Sequence, residues 1–402
     1  MTPKGQVATA TKLSGTKDYC STNPDSSRKN LQAPKKLALF FMSTTTSQLL
    51  STSLHQQHVD LGGKMVPFAG WSMPVDYGSI LNEAKAVREG SGVFDVSNMA
   101  RFVFRGDDVA TKLDHALGGC ITDQPVGVAR YTMLLQDDAG ILDDLLTYRL
   151  ASDEFMLVVN ASNRQRDWDL LAERLDGVEC SDLTEDGGGI LALQGPESLN
   201  VLRKLSGDDN FAPAFLGLGE IETNFGTLFF ARTGYTGEHG YELFPSAEQI
   251  VPLWMSLMSL DVTPVGLGSR DILRLEAALP LYGHEIHENI TPFDAGLRFG
   301  VRGWKTRDFI GGDALRALPE PDKYLIGFTC EKRIPREGYN VLCDGEIVGT
   351  ICSGAMSVVL GKPIATAYVP KNVDGEFSID FRGKPHAATC VDLPFVPHRS
   401  RD

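Results

Sequence analysis

The stretch Gly140–Tyr148, GILDDLLTY, places two adjacent carboxylates, Asp143 and Asp144, inside an otherwise apolar run. In a β-strand, neighbouring side chains point to opposite faces. Both faces here are mostly apolar, so we expect the strand to be covered on both sides, with at least one aspartate buried or in a cleft. A buried carboxylate is costly unless it is paired or hydrogen-bonded. Spacing alone also permits a second interpretation, in which both carboxylates are solvated or bond to loop amides at the strand's start.

The sequence around this stretch predicts a β-hairpin, then a buried strand and a helix. Tyr131–Leu135 and Ile141–Tyr148 are apolar segments joined by the turn sequence QDDAG. The apolar run FMLVVNAS predicts the buried strand, and Ser162 or Asn163 is expected to cap the helix that follows. The apolar face of this helix comprises Trp168, Leu171 and Leu175.

A second candidate site lies in the glycine-rich segment GYTGEHGYE, residues 234–242. Glycines at positions 234, 237 and 240 allow tight turns and a close approach of the backbone to a ligand. They place Glu242 on a predicted strand. An ordinary glycine-rich hairpin loop explains the same pattern, so both interpretations stay open.

A third candidate is the segment GLGSRD, residues 266–271, which opens a predicted helix with Ser269 at its N-cap. Arg270 then lies in the first turn, where the helix dipole disfavours a positive charge. Functional sites tolerate such local conflicts, although a surface arginine or an internal salt bridge explains this one equally. Gly266 and Gly268 lack the third glycine of a dinucleotide-binding motif, so we exclude that function.

The chain divides into three parts by composition. Residues 1–50 are polar, Ser/Thr-rich and without periodicity, which predicts a disordered tail, a transit peptide, or an artefact of a start at Met42. Residues 51–319 are dense and regular, and form the main region. From about Pro319 the pattern changes to short strands, with Asp344-Gly345 as a type I′ hairpin turn. Residues 320–402 therefore predict a small C-terminal β domain.

Charge and cysteine usage exclude several classes of function. The net charge is −14, and because residues 1–41 carry +5, the remainder carries −19. This disfavours a nucleic-acid or membrane-surface role, and no apolar run is long enough to span a membrane. The 7 cysteines are odd in number and lack a C-x-x-C motif, which predicts reduced thiols rather than disulfides or a zinc site. Two histidine pairs, His55/His58 and His284/His287, lack a third ligand.

Ten short segments occur in order between Leu54 and Pro397. They are MVPFAGWSMPVDY, GVFDVSNMARF, GILDDL, VVNASN, LALQGP, RTGYTGEHGYEL, GLGSRDILRLEA, LYGHEI, TPFDAGL and PFVP. None is decisive alone. In this order and at these spacings, they resemble the aminomethyltransferase (T-protein) family of the glycine cleavage system.

The resemblance implies an α+β fold, a three-domain cloverleaf around a central folate cavity. Its first two domains interlace in sequence, and its third is the C-terminal β-barrel-like domain. It also implies a tetrahydrofolate-dependent aminomethyltransferase, which takes the aminomethyl group from the lipoyl arm of H-protein. The products are 5,10-methylenetetrahydrofolate, ammonia and dihydrolipoyl H-protein. The expected partners are lipoylated H-protein and folate, with tetrahydrofolate as co-substrate and no metal.

The family's residues carry over onto matching positions. The catalytic aspartate is the second one of GILDDL, Asp144, and Asp143 then has a structural role. A fixed anion stabilises the iminium-like charge that develops as ammonia leaves, and it can also orient the pterin or accept a proton. Glu242 matches a glutamate that accepts hydrogen bonds from the pterin's amino edge, and Arg270 matches an arginine of the folate pocket. Further matching positions around the pterin and aminobenzoyl rings are Met99, Tyr131, Tyr148, Val159, Asn160 and Tyr235.

The chain also departs from the family pattern. Asn98 stands where His is usual, Leu279 where some members have Tyr, and Phe299 where Trp is common. The C-terminal sequence PFVPHRSRD lacks a tyrosine that some members place there. Contacts to the glutamyl tail of the folate are therefore left open. None of these departures removes Asp144 or the matched ligand-contacting charges.

Two alternative functions remain at this point. One is a non-catalytic folate-binding paralogue, although the chain lacks the KGCYxGQE motif of the iron–sulfur assembly group. The other is a stand-alone module related to the dimethylglycine and sarcosine demethylases, which attach a flavin domain with G-x-G-x-x-G that nothing here matches. We expect a cytoplasmic location, or the mitochondrial matrix if the N-terminal extension is a transit peptide.

Overall fold

The computed structural model describes residues 49–400. The predictions about the N-terminal extension therefore lie outside the described residues, except for its last two positions. The α-helices of the described range are α1 (His55–Asp60), α2 (Ile80–Glu89), α3 (Val109–Ala116), α4 (Arg164–Arg174), α5 (Ser198–Ser206), α6 (Ile250–Ser259), α7 (Leu267–Glu276) and α8 (Gly312–Ala317). Two 3₁₀ turns cover Ala161–Asn163 and Arg298–Gly300.

The β-strands form three sheets and a barrel. In chain order they are β1 (Leu50–Ser51), β2 (Met65–Phe68), β3 (Trp71–Pro74), β4 (Gly92–Asp95), β5 (Ala100–Arg105), β6 (Ala129–Leu135), β7 (Ile141–Ala151), β8 (Glu154–Val159), β9 (Glu179–Asp182), β10 (Leu191–Gln194), β11 (Leu218–Thr223), β12 (Gly226–Ala231), β13 (Gly240–Phe244), β14 (Thr263–Pro264), β15 (Lys323–Cys330), β16 (Asn340–Cys343), β17 (Glu346–Met356), β18 (Pro363–Pro370), β19 (Phe377–Asp380) and β20 (Pro385–Val391).

Two of the sheets interlace along the chain. The five-stranded sheet has the order β6-β7-β8-β5-β9, and the six-stranded sheet has the order β11-β12-β13-β10-β4-β14. Strand β4 of the six-stranded sheet precedes every strand of the five-stranded sheet, whereas β10 to β14 follow them. A three-stranded sheet, β1-β3-β2, lies at the start of the described range.

The C-terminal strands close into a barrel with the order β15-β18-β17-β16-β19-β20. Asp344 and Gly345 join β16 to β17 with φ values of 50° and 89°. Two successive positive φ values are what a type I′ turn requires. The predicted fold class, mixed α and β structure with a C-terminal barrel, is thus confirmed.

One apolar cluster joins these parts. Tyr148 of the five-stranded sheet, Ala192 of the six-stranded sheet, Leu273 of α7 and Ile364 of the barrel belong to it, and each is fully buried. Burying large apolar side chains stabilises such a junction by roughly 1.5–3 kcal/mol each. The packing brings β7, β13 and α7 together, and these elements carry the candidate residues.

Two helix starts differ from the predictions. Asn163 makes no capping bond to α4, because its side-chain amide donates to Asp143 Oδ1 over 2.7 Å. Helix α7 begins before Ser269, which therefore is not its N-cap. There Glu83 Oε2 accepts from the Gly266 amide over 2.9 Å. Both caps were predicted from local sequence, and both were displaced by partners from other parts of the chain.

None of the helices within residues 49–400 combines the length and the apolar character needed to cross a bilayer. The six cysteines of the same range are free thiols.

Candidate functional site

The two central aspartates lie on β7, opposite the outer strand of a long hairpin. Asp143 pairs with Leu134 and Asp144 with Met133 on β6. The side chain of Asp143 is completely buried, whereas that of Asp144 is partly exposed. The first interpretation, with at least one aspartate buried and the strand covered on both sides, is therefore correct.

Asp144 lies between two neutral hydrogen-bond donors. The Tyr131 hydroxyl donates to its Oδ2 over 3.1 Å, and the Asn160 side-chain amide donates to its Oδ1 over 3.0 Å. Burial and the neighbouring Asp143 charge raise the pKa of Asp144 to about 7, although both donors oppose the rise. A carboxyl with such a pKa takes up and releases protons near neutral pH.

Asp143 is held by three N–H donors on the other side of the strand. Its Oδ1 accepts from the side-chain amides of Asn160 and Asn163, each over 2.7 Å. Its Oδ2 accepts from the Asn160 backbone amide over 3.2 Å. Asn160 thus contacts both aspartates, and it fixes the end of β8 against the first part of β7.

Glu242 on β13 has one carboxylate oxygen occupied and one without a protein donor. Its Oε2 accepts from the Tyr148 hydroxyl over 2.9 Å and from Thr233 Oγ1 over 2.5 Å. No group within residues 49–400 donates a hydrogen bond to its Oε1. The side chain is 5 % exposed, so this oxygen is a pre-positioned acceptor in a dry setting.

Arg270 of α7 has no carboxylate in salt-bridge contact within the described part of the chain. Its guanidinium stacks on Tyr235, with Cζ 4.7 Å from the ring centroid, and Nη2 lies 3.9 Å from Met99 Sδ. Its Nη1 is buried and has no hydrogen-bond partner among residues 49–400. A buried donor without a partner is costly, so a ligand acceptor at this position gains a strong contact.

Electrostatic coupling links these residues. Burial and the Asp144 charge raise the pKa of Tyr235, whereas the charge of Arg270 lowers it. Burial lowers the pKa of Arg270, and the Glu242 charge opposes this. Asp144, Glu242, Arg270 and Tyr235 therefore share one electrostatic environment, although they come from β7, β13, α7 and a loop.

Other predicted residues lie behind this group. Val159 is fully buried in the apolar core beside β5 and α4. Tyr148 is also fully buried, and its hydroxyl is committed to Glu242. The Tyr235 hydroxyl donates to the Pro280 carbonyl, which leaves its ring as the accessible surface.

Two glycines of the glycine-rich segment are required by packing inside the protein, and the predicted close approach to a ligand stays a prediction. A Cβ atom at Gly234 or Gly240 would lie 2.1 or 2.2 Å from side-chain atoms of Gln194. Gln194 is itself buried, and its amide donates to the Thr233 carbonyl over 3.2 Å. These two glycines accommodate Gln194, a partner that the segment's own sequence does not reveal.

Sequence reasoning did not select four residues that contact the group. Thr233 donates to Glu242, Asn163 donates to Asp143, and Asp167 is buried next to Asp143. Phe299, noted only as a departure, is 62 % exposed, and its ring centroid lies 5.5 Å from that of Tyr131. Asp167 could have been found from the sequence, because it is a charged residue beside Trp168 and Leu171 on the predicted apolar face of a helix.

The arrangement combines a carboxyl that ionises near pH 7 with a carboxylate oxygen and a guanidinium N–H that have no hydrogen-bond partner among residues 49–400. It suits a flat ligand that presents N–H donors at one end and acceptors at another. No group of three or more His, Cys, Asp or Glu side chains within residues 49–400 is arranged to hold a metal ion.

Two family models match the chain. The GCVT N-terminal domain matches residues 54–305, and the glycine cleavage T-protein C-terminal barrel domain matches residues 323–397. The second match spans the strands of the barrel.

This chain aligns with nearly the whole length of similar proteins. An aminomethyltransferase of Streptomyces coelicolor is 42 % identical over 368 residues, covering 87 % of this chain and 98 % of its own. One of Thermus thermophilus is 39 % identical, with coverages of 86 % and 99 %. The crystal structure of glycine cleavage system aminomethyltransferase T from Bartonella henselae superposes with a TM-score of 0.80 at 35 % identity, covering 87 % of this chain and 99 % of that one.

Proposed function

The chain belongs to the aminomethyltransferase (T-protein) family of the glycine cleavage system, and we propose that it transfers a one-carbon unit from aminomethyl-dihydrolipoyl H-protein to tetrahydrofolate. The products are 5,10-methylenetetrahydrofolate, ammonia and dihydrolipoyl H-protein. The two family models together span most of residues 54–397, which supports this activity over its alternatives. A non-catalytic paralogue and a stand-alone demethylase module are not favoured.

The observation that carries the proposal is the setting of Asp144. Its carboxyl accepts only neutral hydrogen bonds among residues 49–400, from Tyr131 and Asn160, so no cation there neutralises its charge by contact. When ionised, it stabilises positive charge that develops on a substrate methylene as ammonia leaves. Because its pKa is raised to about 7, it also accepts a proton readily.

Two other groups support the binding of tetrahydrofolate, which supplies the nucleophilic nitrogen. Glu242 Oε1 accepts an N–H from the amino edge of the pterin, while Tyr148 and Thr233 hold Oε2 in place. The unpartnered Nη1 of Arg270 donates to an acceptor on the same ligand. This acceptor and this donor fit a heterocycle that has its own donors and acceptors on separate edges.

Some of the remaining predicted residues are proposed to contact the ligand, and the others to hold the contacting residues in place. We infer that Met99, Tyr131 and the ring of Tyr235 contact the ligand through their side chains. Tyr148 acts through Glu242. Asn160, just after β8, orients the site because it contacts both aspartates. Val159, the last residue of β8, supports the site through packing.

Lipoylated H-protein is the proposed partner, because the group to be transferred arrives on its lipoyl arm. The exposed ring of Phe299 lies beside Tyr131, whose hydroxyl bonds to Asp144, and it offers an apolar surface for this arm. The expected compartment stays a prediction, cytoplasmic or the mitochondrial matrix.

A reconstituted assay with lipoylated H-protein and tetrahydrofolate tests the activity. The wild type should release ammonia and form methylenetetrahydrofolate. Asp144→Asn keeps the shape and removes the charge, and we expect it to be slower by about a hundredfold or more, since one lost charge-stabilising contact costs ~2.7–4 kcal/mol.

Asp153→Asn is the matched control. Asp153 is exposed in the turn that joins β7 to β8, so this variant should keep wild-type rates. Equal rates for Asp144→Asn and the wild type would contradict the role of Asp144. A wild type that releases no ammonia would contradict the function itself.

A further inference from the structure

The chain that follows the barrel returns to the candidate site. The Val396 backbone amide donates to the Glu276 carbonyl over 2.8 Å, and His398 Nε2 donates to the Ala277 carbonyl over 2.7 Å. Both acceptors lie at the end of α7, the helix that carries Arg270. This C-terminal segment, residues 396–400, has no part in the proposed mechanism.

The C-terminal segment also contacts the glycine-rich segment, residues 234–242. The backbone amides of Arg399 and Ser400 both donate to the Gly237 carbonyl, over 2.8 and 3.2 Å. Glycines lose more conformational freedom on ordering than other residues do, so a segment that contains three of them depends on such bonds from outside. The C-terminal segment therefore fastens the glycine-rich segment to the end of α7.

Arg399 completes the charges of a buried ion-pair network that includes Glu238. Arg88 Nη1 donates to Glu238 Oε1 and Arg88 Nη2 donates to Glu276 Oε2, each over 2.8 Å, so one guanidinium faces two carboxylates. Glu238 Oε2 is buried and accepts no hydrogen bond from residues 49–400. Arg399 Nη1 lies 3.7 Å from this oxygen and supplies the second positive charge. Without Arg399, the network would keep an uncompensated negative charge in a buried position.

We propose that Arg399 and Glu238 are positioning residues of the folate pocket, because they hold the glycine-rich segment in the place where the Tyr235 ring stacks on Arg270. For its ligand, this inference rests on the proposed function. The fastening of the glycine-rich segment to α7 stands on the contacts alone.

A short, hydrogen-bonded stretch connects Glu238 to Tyr235. The Thr236 carbonyl between them accepts from Arg88 Nη1 over 2.7 Å. The Tyr235 hydroxyl donates to the carbonyl of Pro280, which lies just beyond α7. A displacement at Glu238 therefore moves Tyr235 relative to α7, and with it the ring that we infer to contact the ligand. A pocket whose walls are held in place before binding gives up less conformational entropy when the ligand arrives.

Hydrogen–deuterium exchange without any ligand tests the fastening. Arg399→Met removes the charge and keeps an unbranched side chain, and Arg399 is half-exposed, so the variant should fold. The amides of residues 233–240 should exchange about 2- to 5-fold faster than in the wild type, as expected for the loss of an ion pair with one half-exposed partner. Arg336→Met, at an exposed position between β15 and β16, is the matched control and should exchange at wild-type rates.

Equilibrium titration with tetrahydrofolate tests the positioning. The dissociation constant of Arg399→Met should rise by about 2- to 5-fold. The value of kcat at saturating tetrahydrofolate should stay within about 2-fold of the wild type, because the lost interaction serves binding and not the chemical step. A residue that only stabilised the fold would lower the denaturation midpoint and leave the affinity of the folded protein unchanged.

Three further measurements test whether the pairing of charges is the cause. Arg399→Lys keeps the charge, and because the wild-type contact uses one nitrogen at 3.7 Å, it should restore most of the affinity. In about 1 M salt, where the Debye length falls to about 3 Å, the difference between the wild type and Arg399→Met should shrink. In a Glu238→Gln background, Arg399→Met should have almost no further effect, because the charge that Arg399 pairs with is gone.

Two results would overturn the inference. One is unchanged exchange of residues 233–240 in Arg399→Met, which would mean that Arg399 does not hold the glycine-rich segment. The other is equal affinity of the wild type and Arg399→Met for tetrahydrofolate. A wild type that binds no tetrahydrofolate would instead contradict the proposed function, and the exchange measurement, which uses no ligand, would still decide the fastening.

Discussion

Tyr131 and Asp144 lie on adjacent antiparallel strands, and the Tyr131 hydroxyl donates to Asp144 Oδ2 over 3.1 Å. This bond favours the ionised form of a carboxyl whose pKa is otherwise raised by burial. The ring of Tyr131 also lies 5.5 Å from the exposed ring of Phe299, measured between centroids. A single aromatic residue thus connects the reactive carboxyl with the protein surface.

Tyr131→Phe should make Asp144 harder to ionise. Loss of a donor to the charged form raises the pKa of Asp144, so the acidic limb of the rate profile should move up by about 0.5–1 unit. Because Asp144 is half ionised at pH 7 in the wild type, activity at pH 7 should fall by about 2- to 6-fold and recover toward pH 9. The measurement is kcat against pH, with Tyr324→Phe on the exterior of the barrel as control, and an unshifted limb would contradict the role given to this bond.

Glu242→Gln should weaken the binding of tetrahydrofolate. The substitution keeps the size but replaces a charged acceptor, and hydrogen bonds to charged groups contribute about 1.5–3 kcal/mol. We expect binding to weaken by about 10- to 100-fold in equilibrium titrations. Glu220→Gln, at an exposed position of β11, is the control, and unchanged affinity in Glu242→Gln would exclude the proposed contact.

Arg270→Met should lower activity without lowering stability. Its guanidinium has a buried donor with no partner in the described part of the chain, so its removal should leave the free energy of unfolding unchanged or slightly increased. Arg88 provides the contrast, because it pairs with Glu238 and Glu276 over 2.8 Å each in a buried site. Arg88→Met should cost about 3–5 kcal/mol.

Denaturant unfolding of the two arginine variants, together with tetrahydrofolate titrations, checks this contrast. Equal destabilisation by both substitutions would show that Arg270 has a structural partner. Unchanged folate binding in Arg270→Met would show that its free donor does not serve the ligand.

Asp144→Asn should stabilise the protein at neutral and alkaline pH. The pKa of Asp144 is raised from 3.8 to about 7 on folding, so the folded state binds the proton more tightly than the unfolded chain. The stability contribution of protonated Asp144 is present below pH 3.8 and is lost as pH rises through about 7.

The asparagine variant has no charge to bury, so it should gain about 1–3 kcal/mol over the wild type at pH 8, and this gain should shrink toward pH 4. Thermal unfolding between pH 4 and 8 measures the difference, with Asp153→Asn as control. A gain that does not depend on pH would mean that the ionisation of Asp144 is not its cause.

The hairpin that carries the site was predictable from local sequence. Alternation along GILDDLLTY separates Asp143 from Asp144, and the turn QDDAG fixes which segments pair. The same reasoning predicted the I′ turn at Asp344-Gly345 and the strands of the barrel. Ten ordered segments were also enough to indicate the family. Each of these patterns can be read from residues that are neighbours in the chain.

Partners from distant parts of the chain were not predictable in this way. Asn163 was expected to cap α4, but its amide donates to Asp143. Gly234 and Gly240, noted for their conformational freedom, also leave room for the side chain of Gln194. For Asn163, a capping preference worth about 1 kcal/mol gave way to a buried carboxylate that needed a partner.

By itself, the sequence of this protein determined the strand that carries both carboxylates, their opposite directions and the family. Only the tertiary structure decided that Asp143 meets Asn163, that Asp144 meets neutral donors, and that Arg270 keeps an N–H without a partner among residues 49–400. The physical reason is burial. The charge of a carboxyl depends on its hydrogen-bond partners and on the loss of water around it, and elements that are far apart in the chain determine both.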